Sequence, residues 1–189
     1  MSLNENRARR SRIGPNAPTN TPTITSAHIY TDGGCNPKTW AGGWGVAIYA
    51  HGYLHELHGG ATGTTNNRME LQAVIEAIRF IDNPEADLRL HSDSQYVIKS
   101  LNEYVWGWKF RGWRLSANKE VKNKDLWIEL DTLVEAHKDA GHPIDFRWVR
   151  GHNGNVGNHR ADHLATAGIK LITKAADYED HLSLLAQDD

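Results

Sequence analysis

Apolar and polar positions along the chain alternate first with a period of two and later with a period near 3.6. "AHIYTD" at 27–32 and "GGWGVAIYA" at 42–50 are rich in β-forming residues and read as strands. "HG" at 51–52 is a tight turn into a third strand, "YLHELHGG" at 53–60, which makes an antiparallel meander. From Asn66 the period changes. Leu71, Val74, Ile75 and Ile78 share one helical face, with Asn66 or Asn67 as N-cap and "DNP" at 82–84 as the stop. "ADLRLHSD" at 86–93 is a fourth strand, and a short helix follows from Ser94. The stretch from Tyr104 to Asp125 is aromatic, basic and poorly periodic. Leu126, Leu130, Leu133 and Val134 mark another helix, "PIDFRWVRG" at 143–151 a fifth strand, and Leu164, Ala165 and Leu171 a final amphipathic helix. Trp127 and Trp148, in a helix and a strand, are expected in the core.

A meander followed by strand–helix–strand–helix implies an α/β fold with a five-stranded mixed sheet flanked by helices. The first, fourth and fifth strands run parallel through right-handed crossovers, which puts the first at the centre. The 189 residues suit one domain over 26–175, with a disordered polar, basic tail at 1–25 and a second tail at 176–189. Cys35 is the one cysteine, so no intrachain disulfide forms, in keeping with a reducing compartment. No apolar run reaches membrane-span length, and no apolar segment follows the N-terminal arginines as in a secretory signal. The expected location is the cytoplasm. A formal net charge of −2 gives no global field for nucleic acid, so any such partner must meet a local patch.

The candidate chemistry lies in acids at the ends of elements. Asp32 and Asp93 end the first and fourth strands; as parallel neighbours these would set two carboxylates side by side. Glu70 falls in the first turn of the helix after the meander, and Asp162 in the first turns of the last helix. Acids meeting at one end of a sheet repel and raise one another's pKa, and a divalent cation relieves that. Oxygen-only ligands suit Mg²⁺ or Mn²⁺ rather than zinc. Singly, each acid has an ordinary explanation as a turn or helix-dipole residue. His159 and His163 have the i, i+4 spacing of zinc ligands, but "HRADH" lacks the zincin glutamate, and helix-surface histidines are the plainer reading.

"YTDGG" (30–34), "TTNNRMEL" (64–71), "SDSQYV" (92–97), "WKFRGW" (108–113), "VKNKDLW" (121–127) and "VRGHNGN…GNHRADHLA" (149–165) stand in an order and spacing that resemble ribonuclease HI. The resemblance spans about 27–174. It implies a metal-dependent endonuclease that hydrolyses the RNA strand of RNA–DNA hybrids with two Mg²⁺ ions, Mn²⁺ being the alternative, and leaves 5′-phosphate and 3′-hydroxyl ends. Asp32, Glu70, Asp93 and Asp162 match the family's catalytic, metal-holding carboxylates. Asp32 would bridge the ions, Asp162 would help hold the one that activates water, and Glu70 with Asp93 the one at the leaving 3′-oxygen. His152 matches a mobile-loop histidine, a residue type suited to proton transfer near neutrality.

Asn66 and Gln95 match amides that read the minor groove, and Thr65 and Asn123 match a phosphate pocket for the DNA strand. Tyr104 stands where the family often has a Trp on deoxyribose. The basic run of Lys109, Arg111, Arg114, Lys119, Lys122 and Lys124 supplies phosphate affinity. Trp108, Lys109 and Ser116 belong to this substrate-binding region, although packing is the plainer role for Trp108 and Trp113. The loop "CNPKTWAGGWG" departs from the family. Asn36 comes earlier than the usual contact Asn, and Lys38 lies near that place. Gly157 and His159 replace frequent acids, and Arg7, Arg9, Arg10 and Arg12 add loose phosphate affinity. The implied partner is an RNA–DNA hybrid, met by a monomer with no obligate protein partner and no membrane. The alternatives are a non-catalytic nucleic-acid-binding module on the same fold, which would not need all four acids, and a retroelement-derived ribonuclease domain.

Overall fold

In a computed structural model the described residues are 7–11 and 23–185, with side chains for 23–176. Six strands form one sheet: β1 (Arg7–Ser11), β2 (Ser26–Cys35), β3 (Gly42–Ala50), β4 (Tyr53–Ala61), β5 (Asp87–Ser92) and β6 (Asp145–Trp148). Their order is β1-β4-β3-β2-β5-β6. β2–β3–β4 is the antiparallel meander, and β5 and β6 join β2 in parallel, with β2 central. The helices are α1 (Asn66–Ile81), α2 (Gln95–Lys99), α3 (Val105–Phe110), α4 (Lys124–Asp139) and α5 (Val156–Leu185), with a π-helical turn Ser100–Tyr104 between α2 and α3. Among the described residues no helix is long and apolar enough to cross a membrane.

The expected five strands are present, and β1 is an addition. Arg7–Ser11 pairs antiparallel with β4, whose outer edge would otherwise present unpaired amides and carbonyls. The expected disordered tail at 1–25 is therefore interrupted by a strand; residues 1–6 and 12–22 lie outside the described residues. At the other end α5 runs past 175 to Leu185, because no Gly or Pro follows Gly168 to stop it. Only 186–189 of the expected C-terminal tail lie outside the described residues. The irregular stretch after Tyr104 begins with the short helix α3.

The sheet has two unlike faces. Against α1 and α4 lies the apolar core, with Ile29, Val46, Ile48, Leu71, Ile75, Leu90, Trp127 and Leu130 fully or almost fully buried. On the opposite face α5 packs on β2, β3 and β4 through small residues. A Cβ on Gly43 or Gly45 would meet the α5 backbone at Ala165 or Ala161, so glycine is what lets the helix come this close. The same face buries Glu56, which Arg160 of α5 grips with two hydrogen bonds. Trp127 sits in the core as expected, but Trp148 is 48% exposed, because its strand is the sheet's edge.

Candidate active site

Asp32 lies inside β2 rather than at its end. It pairs with Gly45, and Gly33, Gly34 and Cys35 continue the ladder opposite Trp44, Gly43 and Gly42. The glycines therefore do not turn the chain. A Cβ on Gly33 would strike the backbone of Met69 and Glu70, so its absence lets α1 press against β2. That contact sets Glu70 beside Asp32. Glu70 is the fifth residue of α1, beyond its first turn, because Thr65 rather than Asn66 or Asn67 is the N-cap; its hydroxyl accepts the amide of Arg68 at 3.4 Å.

Asp93 follows directly after β5, whose parallel pairing with β2 brings it to the same end of the sheet. Its Oδ2 accepts from Asn158 Nδ2 at 3.1 Å, and its carbonyl accepts from Trp148 Nε1 at 3.1 Å. Asp162 sits on α5, one helical turn beyond Asn158 and on the same side. The loop carrying His152 touches the site at Gly151, where a Cβ would meet Asp93 Oδ2 at 2.5 Å. His152 is exposed and has a left-handed backbone, φ 53°.

The acids are coupled through Asp32. Burial pushes its carboxyl up to about 7; Asp93 adds to the rise, the Gly33 amide at 2.7 Å opposes it, and Asp162 and Glu70 add further. Glu70 is also raised, by burial first and then by Asp93, against a hydrogen bond from Ser94 Oγ at 2.5 Å. Among the described residues no three His, Cys, Asp or Glu side chains stand close enough to grip a metal ion as they lie. Ser94 draws Glu70 to itself, and Asn158 draws Asp93. The donor chemistry nonetheless fits a hard divalent cation: carboxylate oxygens only, repelling one another in a half-buried site. His159 and His163 are exposed and belong to no such group, so the zinc spacing is a surface feature.

Beside the carboxylates runs a groove of about 560 Å³ lined by Cys35, Pro37, Trp40, Thr65, Asn66, Asn67, Lys122 and Asn123. It gathers three expected substrate contacts, Thr65, Asn66 and Asn123. Asn123 is the left-handed cap of α4, and its Nδ2 donates to Tyr96 Oη at 3.2 Å. Asn36 closes the preceding loop: its Oδ1 accepts the amide of Lys38 at 2.9 Å and its backbone pairs with Trp40 and Ala41. Trp40 rather than Lys38 reaches the groove wall.

Gln95, Tyr104 and Ser116 are exposed outside that groove. Trp108 packs on Trp127 and on the core's edge, so packing is its role. Lys109 is turned to α4, with its ammonium 3.0 Å from Asp131 and 3.3 Å from Glu135, and is no open phosphate contact. Lys124 pairs with Glu120 at 3.0 Å. The expected basic run thus narrows to Arg111, Arg114, Lys119 and Lys122. Sequence reasoning assigns no site role to Ser94 or Asn158. Asn158 carries a legible signal, its i, i+4 spacing from Asp162, but Ser94's bond to Glu70 spans two elements.

The chain matches the RNase H family over residues 25–170. It is 50% identical over 151 residues to a protein of Albidiferax ferrireducens named Ribonuclease H, covering 80% of this chain and 99% of that one. It is 51% identical over 144 residues to the Ribonuclease H of Cupriavidus pinatubonensis, covering 76% and 95%. Among solved structures it resembles LC9-RNase H1, described as a type 1 RNase H with the type 2 active-site motif, at a TM-score of 0.66 and 31% identity over 80% of this chain and 75% of that one. A foamy viral protease–reverse transcriptase in complex with RNA/DNA hybrid shares the fold, at a TM-score of 0.66 and 22% identity over 84% of this chain and 22% of that one. A chain that folds as these do, and is identical to those bacterial proteins at half of its aligned residues, belongs to the ribonuclease H family.

Proposed function

We propose that the protein is a ribonuclease H that hydrolyses the RNA strand of RNA–DNA hybrids, leaving 5′-phosphate and 3′-hydroxyl ends. The observation that carries this is the placing of Asp32 in a buried position at the end of the sheet where Asp93, Asp162 and Glu70 also lie, so that burial first and then those acids raise its carboxyl to about 7. An acid kept so far from its ordinary range costs the fold stability, and cation binding offsets that cost.

Asp32 would help hold both divalent cations, Glu70 and Asp93 the one at the leaving 3′-oxygen, and Asp162 the one that activates the attacking water. Bound there, Mg²⁺ or Mn²⁺ supplies Lewis acidity and a low-pKa water. The residues of the chain do the rest. Ser94 and Asn158 orient Glu70 and Asp93. His152, on a loop that abuts Asp93, moves a proton at the edge of the site. Thr65 and Asn123 seat a phosphate of the DNA strand in the groove, while Asn66 and Gln95 present amides to 2′-hydroxyls and base edges. Tyr104 lies against the sugar–phosphate path, and Arg111, Arg114, Lys119 and Lys122 add phosphate affinity. The protein acts as a cytoplasmic monomer.

The test is cleavage of labelled RNA–DNA hybrid, duplex DNA and duplex RNA, each with magnesium or chelator. Loss of the hybrid's RNA alone, only with metal, is expected. Hybrid binding without cleavage under any metal would establish a non-catalytic binding module instead.

A further inference from the structure

The six residues of α3 present two rings to solvent. Trp106 is 78% and Phe110 82% exposed, with centroids 6.1 Å apart and planes within 15°. They stand i, i+4, on the side of α3 away from Trp108, which packs inward. The neighbouring row carries Gly107 and Arg111, whose guanidinium lies across the Gly107 backbone. Arg111 donates to the carbonyl of Arg114, and Arg114 to the carbonyl of Asn118; among the described residues neither guanidinium has a direct ion pair.

We infer that Trp106 and Phe110, flanked by Arg111, form a stacking platform for unpaired bases of a single-stranded nucleic acid. Unpaired bases expose π-faces that a duplex hides, and rings beside arginine are what single-strand sites use. The surroundings favour this over a protein partner: two rings of one short helix, with the Arg111 guanidinium over Gly107 beside them, make a narrow surface with a cation at its edge rather than a broad apolar one. The inference leans on the ribonuclease reading only for the strand's source, a single-stranded tail continuing from the hybrid.

The experiment is fluorescence anisotropy of the full chain with labelled oligodeoxythymidylate and oligouridylate in chelator. Trp106→Leu and Phe110→Leu should each weaken binding roughly tenfold, while Trp106→Phe and Phe110→Tyr keep it. Both positions are exposed, so thermal melts should not move. With magnesium, the leucine variants should raise KM for a hybrid with a single-stranded tail more than for a blunt hybrid. Leucine variants that bind like wild type overturn the platform. So does self-association that disappears in them while oligonucleotide affinity stays, since the patch then serves a second copy of this chain. An equal KM rise for blunt and tailed hybrid also overturns it, in favour of a duplex contact. Ring-dependent oligonucleotide binding without hybrid cleavage would sink the ribonuclease reading and leave the platform standing.

Discussion

Ser94 Oγ stands 2.5 Å from Glu70 Oε2 and also accepts the amide of Val97 at 3.2 Å, so one hydroxyl caps α2 and restrains a site carboxylate. Ser94→Ala removes both. The lost cap should cost about 1 kcal/mol of stability in denaturant titration. Glu70, deprived of a bond that lowers its pKa, should titrate higher than in wild type by carboxyl NMR. An unmoved Glu70 resonance would show that the hydroxyl does not restrain it.

Asp32 gives a pH dependence with a definite sign. Its folded pKa is raised from 3.8 to about 7, so between these values the folded state holds a proton that the unfolded state has released. Stability in chelator should therefore fall as pH rises from about 4 to 7, by about 2–4 kcal/mol from this group. Asp32→Asn should remove that fall, melt higher than wild type at neutral pH in chelator, and lose hybrid cleavage. Magnesium should raise the wild-type melting temperature more than the variant's. Equal pH profiles for the two proteins would refute the account.

Gly33→Ala places a methyl against the backbone of α1 at Met69 and Glu70. Neither backbone can yield as a flexible side chain would, so a loss of about 1–3 kcal/mol is expected. Displacing α1 also moves Glu70, so magnesium affinity by calorimetry should weaken as well. A stable variant with unchanged affinity would mean that the β2–α1 contact does not set the site.

Two ion pairs should behave oppositely. Arg160 grips Glu56, whose side chain is only 2% exposed, so Arg160→Ala leaves a buried charge unpaired and should cost about 3–5 kcal/mol. Adding Glu56→Gln should recover part of that. Arg68 and Asp125 join α1 to α4 at 2.7 Å in the open, and Asp125→Ala should cost at most about 1 kcal/mol, less in high salt. Urea unfolding separates the cases; equal costs would contradict the burial argument.

Local pattern determined the meander, the parallel strands, the apolar helix faces and the four acids with their order, since periodicity and motif spacing reside in neighbouring residues. Only the tertiary structure decided what depends on contacts between distant elements. Thr65 is the cap because its backbone stays extended at the start of α1. Trp148 is exposed because β6 has no outer neighbour. Lys109 is withdrawn from the basic run because α4 brings Asp131 and Glu135 to it. β1 exists because β4 had an edge to offer. Asp32 sits within its strand because three residues beyond it still find partners on β3, and its raised pKa comes from burial first and then from acids that lie 38, 61 and 130 residues further along the chain. Charge coupling acts through space, and the fold alone sets those distances.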